Sequence, residues 1–264
     1  MCPYVYLFGL EFPVYGLISL LGILVAGIVV FVLAKKKALD FYDLLLTALI
    51  GGIGVFAGAH ILYALTRTGD IISAFSYYHS FENKWDFVRY VFDVASGMVF
   101  YGGLYGGLLA GFLFIRKKRY PADKFADVFA VVIPLFHAFG RVGCFFAGCC
   151  YGIEWEHGIE GRVLSAGVRE HIGRFPVQLL EALCLLILFS LLLFLLFKGG
   201  KFEGKLMPIY LSSYAVLRFS LEFLRGDEIR GHFLMLSTSQ WISLITLAGV
   251  TLYLIIRRRK NKNQ

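Results

Sequence analysis

Charged residues are scarce in this chain. They make up 17% of the 264 residues, against 58% hydrophobic, and mean hydropathy is +0.72. A soluble domain carries about a quarter charged residues, so this shortage excludes an ordinary water-soluble domain and makes lipid the solvent. The sequence also lacks a hydrophilic second domain, a low-complexity tract and an internal repeat. Residues 1–264 therefore read as a single membrane domain. No Lys or Arg precedes the first apolar run, so no cleavable signal is expected and the first helix is read as retained. Cysteines are few and odd in number (Cys2, Cys144, Cys149, Cys150 and Cys184), which excludes a secreted disulfide framework. Cys2 has no apolar segment before it and is a poor lipoprotein acceptor.

The net charge of +8 does not point to nucleic acid. Its cations sit in short runs directly after apolar stretches: Lys35-Lys36-Lys37, Arg116-Lys117-Lys118-Arg119 and Arg257-Arg258-Arg259-Lys260. Such runs mark membrane topology. Seven apolar stretches, near 14–34, 41–65, 95–115, 125–147, 177–197, 206–224 and 238–256, approach the roughly twenty residues that cross a ~30 Å hydrocarbon core. Backbone exposed to lipid must satisfy itself, which makes each span a helix. The expected fold is an all-α polytopic membrane protein of about seven transmembrane helices. The loops after spans one, three and five, and the tail after span seven, hold most of the Lys and Arg. The positive-inside rule then puts the N-terminus outside and the C-terminus in the cytoplasm. Two outer segments are long, Thr66 to Val94 and Tyr151 to Pro176, and the second is expected to form a small extracytoplasmic head.

Ionisable groups inside a span are costly and by default mark function. The fourth span ends with Arg141 among glycines. The sixth carries Tyr214, Arg218, Glu222 and Arg225 at intervals of 4, 4 and 3, which places all four on one helical face. The third carries Ser96, Tyr101, Gly102, Gly103 and Tyr105. A guanidinium fork matches phosphate bidentately and cannot lose its charge. Arg141 and Arg218 can therefore cradle a lipid phosphate while Glu222 orients one of them. The plain structural alternative is an Arg218–Glu222 pair that only locks two helices. Two arginines against one glutamate leave a positive surplus, expensive unless an anion visits. The glycines of spans two and three serve either helix packing or the shaping of a lipid cleft.

These residues fall in motifs that resemble the prolipoprotein diacylglyceryl transferase family, in order along nearly the whole chain. Pro13-Val-Tyr-Gly-Leu17 is similar to the family's N-terminal Tyr-Gly-Leu element. Gly51-Gly52 with Gly58-Ala-His-Ile-Leu-Tyr63 resembles its second-span glycine motif, with His60 where arginine is usual. Tyr101-Gly-Gly-Leu-Tyr-Gly106 resembles its His-Gly-Gly-Leu-Ile-Gly motif, and Gly140-Arg-Val-Gly143 through Gly152 resembles its Gly-Arg-Ile-Gly-Asn-Phe signature. Arg174-Phe-Pro-Val-Gln-Leu-Leu-Glu181 resembles Arg-His-Pro-Ser-Gln-Leu-Tyr-Glu, and Tyr214, Arg218-Phe219, Glu222 and Arg225 match the sixth-span pattern.

The resemblance implies transfer of a diacylglyceryl group from phosphatidylglycerol to the thiol of a lipobox cysteine in exported prolipoproteins, at the bacterial inner membrane. Membrane lipid, phosphatidylglycerol and the lipobox peptide are then the partners, with no nucleic acid, cofactor or metal. It assigns Arg141, Arg218, Glu222, Tyr101 and Tyr214 to catalysis. It assigns Tyr15, Gly102, Gly103, Gly140, Gly143, Cys144, Cys149, Gly152, Gln178, Glu181 and Arg225 to substrate binding.

Departures mark a divergent branch. Tyr101 stands where the family has histidine, and tyrosine, with an ordinary pKa of about 10, is a poor base at neutral pH. Cys144 and Cys149 replace the signature's asparagine and glutamate, and Cys150 follows. This cluster admits three readings: inert packing, a redox or disulfide role on the outer face, or a metal site completed by His137 or His157. His137 itself reads as a packed core histidine. The departures leave open a different acceptor at the same phospholipid site, or a membrane thiol-redox protein on the same fold. A transporter lacks the inverted repeats it would usually show.

Overall fold

The computed structural model describes residues 4–7, 9–78, 81, 83–97, 99–165, 168–226 and 232–262; Cys2 lies outside them. Helices dominate. In chain order come β1 (Tyr4–Leu7), β2 (Leu10–Pro13), α1 (Val14–Lys37), α2 (Phe41–Thr66), α3 (Thr68–Ser76), α4 (Lys84–Ala95), α5 (Phe100–Lys118) and α6 (Ala122–Ala147). Then follow β3 (Glu154–Ser165), β4 (Val168–Arg174), α7 (Val177–Lys198), α8 (Leu206–Leu221), β5 (His232–Phe233), β6 (Leu236–Ser237) and α9 (Thr238–Lys262). The strands form three antiparallel two-stranded hairpins.

Every expected span contains a helix, and five helices are long and apolar enough to cross a membrane: Val14–Lys37, Phe41–Thr66, Ala122–Ala147, Val177–Lys198 and Thr238–Arg259. The expected third and sixth spans are weaker. The third is α5, 19 residues that include five glycines and a basic end, and the sixth is α8, only 16 residues long. Ser96 does not belong to the third span. It caps α4, its hydroxyl donating to the Asp93 carbonyl at 2.9 Å. The long outer segment from Thr66 holds two helices, α3 and α4, and the segment from Tyr151 to Pro176 holds the β3–β4 hairpin.

The chain divides into two compact units, Ala34–Phe125 and Met1–Leu33 with Ala126–Gln264. In the first, α2 and α5 meet backbone to backbone. A Cβ placed on Gly58 would collide with the Gly102 carbonyl, and one on Gly106 would collide with the Gly54 carbonyl. Lipid offers no hydrophobic drive for helix association, so close approach through small residues supplies the dispersion contact instead. Asp40 caps α2 by accepting from Tyr42 N at 2.7 Å and Asp43 N at 3.1 Å. The Tyr120 hydroxyl donates to Asp43 at 2.7 Å, tying the end of the α5–α6 connection to the start of α2.

In the second unit, α7 buries Val177, Gln178, Glu181, Ala182, Leu185, Leu188, Leu192 and Leu196, steps of one, three and four that define one helical face. α8 turns Tyr210, Tyr214 and Arg218 inward. Its start is fixed from α6: the buried Asp127 carboxylate accepts from Gly204 N at 2.6 Å and Leu206 N at 3.0 Å, satisfying orphan donors and the positive end of the helix dipole. α9 opens with a capping box. Gln240 N donates to Ser237 Oγ at 3.2 Å, and Ser237 N donates to Gln240 Oε1 at 2.9 Å.

The glycine contact sets a direct expectation. Gly58→Ala must push α2 off α5 and should lower stability in detergent by about 1–3 kcal/mol, the usual range for overpacking. Gly52→Ala, in the same helix with open space around its Cβ position, should be neutral or stabilising by about 0.5–1 kcal/mol. Unfolding of the two variants in one detergent checks the pair.

Candidate functional site

The site is built where α6, α7 and α8 turn polar groups inward. Arg141 lies in the last two turns of α6 and is 8% exposed. Its Nε stands 3.0 Å from Oε2 of Glu181, in the second turn of α7 and 1% exposed. The Tyr214 hydroxyl donates to the other Glu181 oxygen at 3.4 Å. His137, one turn before Arg141, brings its Nε2 to 3.9 Å from that same oxygen and rests edge-on against the Tyr214 ring. One carboxylate therefore gathers residues of three helices.

Arg218 forms the second centre. Its Nη2 is 2.7 Å from Glu222 Oε2 and donates to Ser239 Oγ at 3.0 Å, linking α8 to the first turn of α9. Arg141 Nε is taken up by Glu181, whereas Arg218 keeps an unspent donor: its Nη1 is buried without a hydrogen-bond acceptor among the described residues. The charge count differs from the expectation. Glu181 supplies a second carboxylate beside Glu222, so the Arg141 and Arg218 charges are matched one to one.

Arg225 does not share the face of Tyr214, Arg218 and Glu222. The α-helix ends at Leu221, residues Glu222–Leu224 tighten into a 3-10 turn, and Arg225 is extended. It pairs as a bridge with Gly152, flanked by Ile153 N donating to Leu224 O at 3.0 Å and Gly226 N to Tyr151 O at 3.1 Å. On the other side Gly152 N donates to Phe175 O at 3.2 Å. Gly152 thus lies between two backbone segments, where a Cβ would strike the carbonyls of Phe175 and Leu224. That gives the terminal glycine of the signature a packing reason.

The remaining residues divide between the two units. The Tyr15 ring covers the face of Gly143, 2.9 Å from the position of a Cβ there, while Gly140 has open space. Buried Gln178 donates from Nε2 to the Cys149 carbonyl at 2.8 Å, and the sulfurs of Cys144, Cys149 and Cys150 gather at the end of α6. Tyr101, Gly102 and Gly103 belong to the Ala34–Phe125 unit. Tyr101 is buried, and both glycines turn toward α2, with Gly102 against Gly58 and Gly103 against Val55. The sequence reading missed Ser239 as a partner of Arg218, although the Ser237-x-x-Gln240 capping pattern was there to mark the helix start that carries it. It also gave Glu181 no counter-ion.

Chemically, this is a pair of permanently charged forks held inside an apolar bundle, each clamped on one side by a carboxylate. Such a fork suits a phosphate oxygen. The whole-chain comparisons agree with that chemistry. The prolipoprotein diacylglyceryl transferase family model matches residues 3–256. A phosphatidylglycerol–prolipoprotein diacylglyceryl transferase of Clostridium tetani is 34% identical over 96% of this chain and 97% of its own length. A second, from Clostridium perfringens, is 31% identical over 98% of this chain and 96% of its own. A third, from Campylobacter hominis, is 32% identical over 98% and 91%. With a family model over residues 3–256 and relatives above 30% identity at more than nine-tenths coverage, this chain belongs to the prolipoprotein diacylglyceryl transferase family.

Proposed function

We propose that the chain transfers the diacylglyceryl group of phosphatidylglycerol to the thiol of a lipobox cysteine in an exported prolipoprotein, an early step of lipoprotein biogenesis. The observation that carries the reading is the buried pair Arg141 and Arg218 in an apolar bundle, with Arg218 Nη1 left without an acceptor among the described residues. The reaction breaks the bond between the glyceryl carbon and a phosphate oxygen and forms a carbon–sulfur bond. Glycerol phosphate departs with the electron pair, and the thiol proton passes to a base. Negative charge grows on the leaving phosphate, so fixed guanidinium donors aimed there lower the barrier most. Glu181 and Glu222 hold the two forks, Tyr214 and Tyr15 offer hydroxyls to the headgroup, and Arg225 adds a third cation. Tyr101 takes the place of the family's histidine, with Gly102 and Gly103 beside it. Gly140, Gly143, Cys144, Cys149, Gly152 and Gln178 line the signature segment on the headgroup side. The acceptor reacts as thiolate, which the cationic field favours.

The same reading makes the chain a multi-pass protein of the bacterial inner membrane acting as one membrane domain. In it, α5 and α8 cross with the five longer helices, the N-terminus is outside, and the β3–β4 hairpin is the extracytoplasmic head. The runs Lys35–Lys37, Arg116–Arg119 and Arg257–Lys260 support this orientation. A fluorescent protein fused after Gln264 should glow and an alkaline phosphatase at the same point should stay silent; the reverse pattern would invert the topology.

For the chemistry, purified protein is incubated with phosphatidylglycerol vesicles and a lipobox peptide, following glycerol phosphate release and peptide mass. Arg141→Ala and Arg218→Ala should each lower turnover by about 10²–10³, the cost of removing one transition-state donor. Lysine at either position should restore only part of it, because a point charge does not replace a fork. Full activity in either alanine variant would reject the reading. Glycerol phosphate release without a gain in peptide mass would keep the phospholipid site and reject the acceptor.

A further inference from the structure

We propose that Cys144, Cys149 and Cys150 form a three-thiolate site for a soft metal ion of the zinc(II) type at the end of α6. The sequence alone left a metal site as one of three readings of this cluster, and assigned no metal ligands. The local fold changes that. Cys144 is in the last turn of α6, and the chain then doubles back through Gly148 and Cys150, with φ of +74° and +58°. Cys149 N donates to the Cys144 carbonyl at 3.2 Å, fixing the reversal. The left-handed backbone at Cys150 costs a residue with a Cβ roughly 1–2 kcal/mol. The turn brings all three sulfurs within 4.8 Å of one another.

That distance is close to what a metal requires. Three sulfurs at about 2.3 Å from one zinc ion stand roughly 3.7–4.0 Å apart. Side-chain rotation of less than about 1 Å closes the set. Soft thiolates select zinc, cadmium or copper(I) over magnesium or calcium. The spacing C-x4-C-C is not a standard zinc-finger pattern, and neither His137 nor His157 joins the group among the described residues. Three protein ligands leave a fourth position to water or an outside donor, and half-exposed Cys144 and Cys150 with exposed Cys149 give an ion a way in.

The surroundings suit the charge. Three thiolates around a divalent cation carry a net charge of −1. Arg225 and Arg141 lie close enough to act electrostatically on the cluster and offset that charge. Metal ligation takes the thiolate form of cysteine and releases the thiol protons. Gln178, fully buried, holds the loop through the Cys149 carbonyl at 2.8 Å, an outer contact of the kind that orients metal ligands.

The test titrates cadmium(II), and zinc(II) in competition with a chromophoric chelator, into reduced, metal-stripped full-length protein in detergent. One equivalent per chain should bind, with a thiolate-to-cadmium absorption in the near ultraviolet. Cys184→Ser should keep the band, and Cys144→Ser, Cys149→Ser and Cys150→Ser should each lose it. No band, a band that survives any one of these three replacements, or a band that needs Cys184 would overturn the site. A second readout needs no variant: alkylation followed by mass mapping, with and without zinc(II). Zinc should protect the three cysteines together and leave Cys184 reactive; unchanged labelling of the three would also overturn the proposal.

Discussion

A guanidinium does not surrender its proton, so setting Arg141 inside an apolar helix obliges the fold to bring a carboxylate to it. Glu181 meets that demand from α7, at 3.0 Å, and much of the second unit is arranged around the meeting. Tyr214 of α8 donates to the same carboxylate and His137 of α6 stands beside it, which fixes the rotation of three helices about one buried charge pair. Arg218 repeats the demand one helix further on, and Glu222 with Ser239 answers it. Apolar residues of equal volume would often be as stable as a buried ion pair, or more so. Keeping four buried charges in lipid therefore points to use rather than to stability. The unspent Arg218 Nη1 is the donor that suits an anion.

The rest of the scaffold follows from the absence of water. Buried helix ends do best with their donors satisfied, and two starts near the site have a built acceptor. Asp127 serves α8, and the Ser237–Gln240 box serves α9. The α9 box also sets Ser239 in reach of Arg218. Helix faces cannot rely on hydrophobic drive, so α2 and α5 come together through glycines until backbone meets backbone. Phosphatidylglycerol as donor and a cysteine thiol as acceptor fit this frame under the proposal that the fixed charges face the departing phosphate.

The helices were legible because apolar runs of twenty residues have few alternatives in lipid. Arg141, Arg218 and Glu222 were legible for the opposite reason, as charges where charges do not belong. What the sequence hid was tertiary. Glu181 reads as one more motif residue until α7 packs on α6, and Arg225 reads as helical until the turn at Glu222–Leu224 releases it to pair with Gly152. The β3–β4 hairpin and the helices α3 and α4 were hidden as well, since outer segments between spans carry no strong period. The glycines of α5 were legible as small residues but not as partners of particular carbonyls. The cysteines lie close enough in sequence to be seen as a group, yet only the left-handed turn at Cys150 shows that their sulfurs converge.

The central claim, that the Arg141–Glu181 pair is kept for an anion rather than for stability, is tested most directly by removing both charges together. In Arg141→Met/Glu181→Leu the pair is replaced by apolar volume, and both stability and phosphatidylglycerol turnover are measured beside the two single variants. The account predicts that each single variant loses about 3–5 kcal/mol, as a stranded buried charge does, while the double variant recovers near wild-type stability and has no transferase activity. A double variant that stays destabilised, or one that still turns over phosphatidylglycerol, would contradict it.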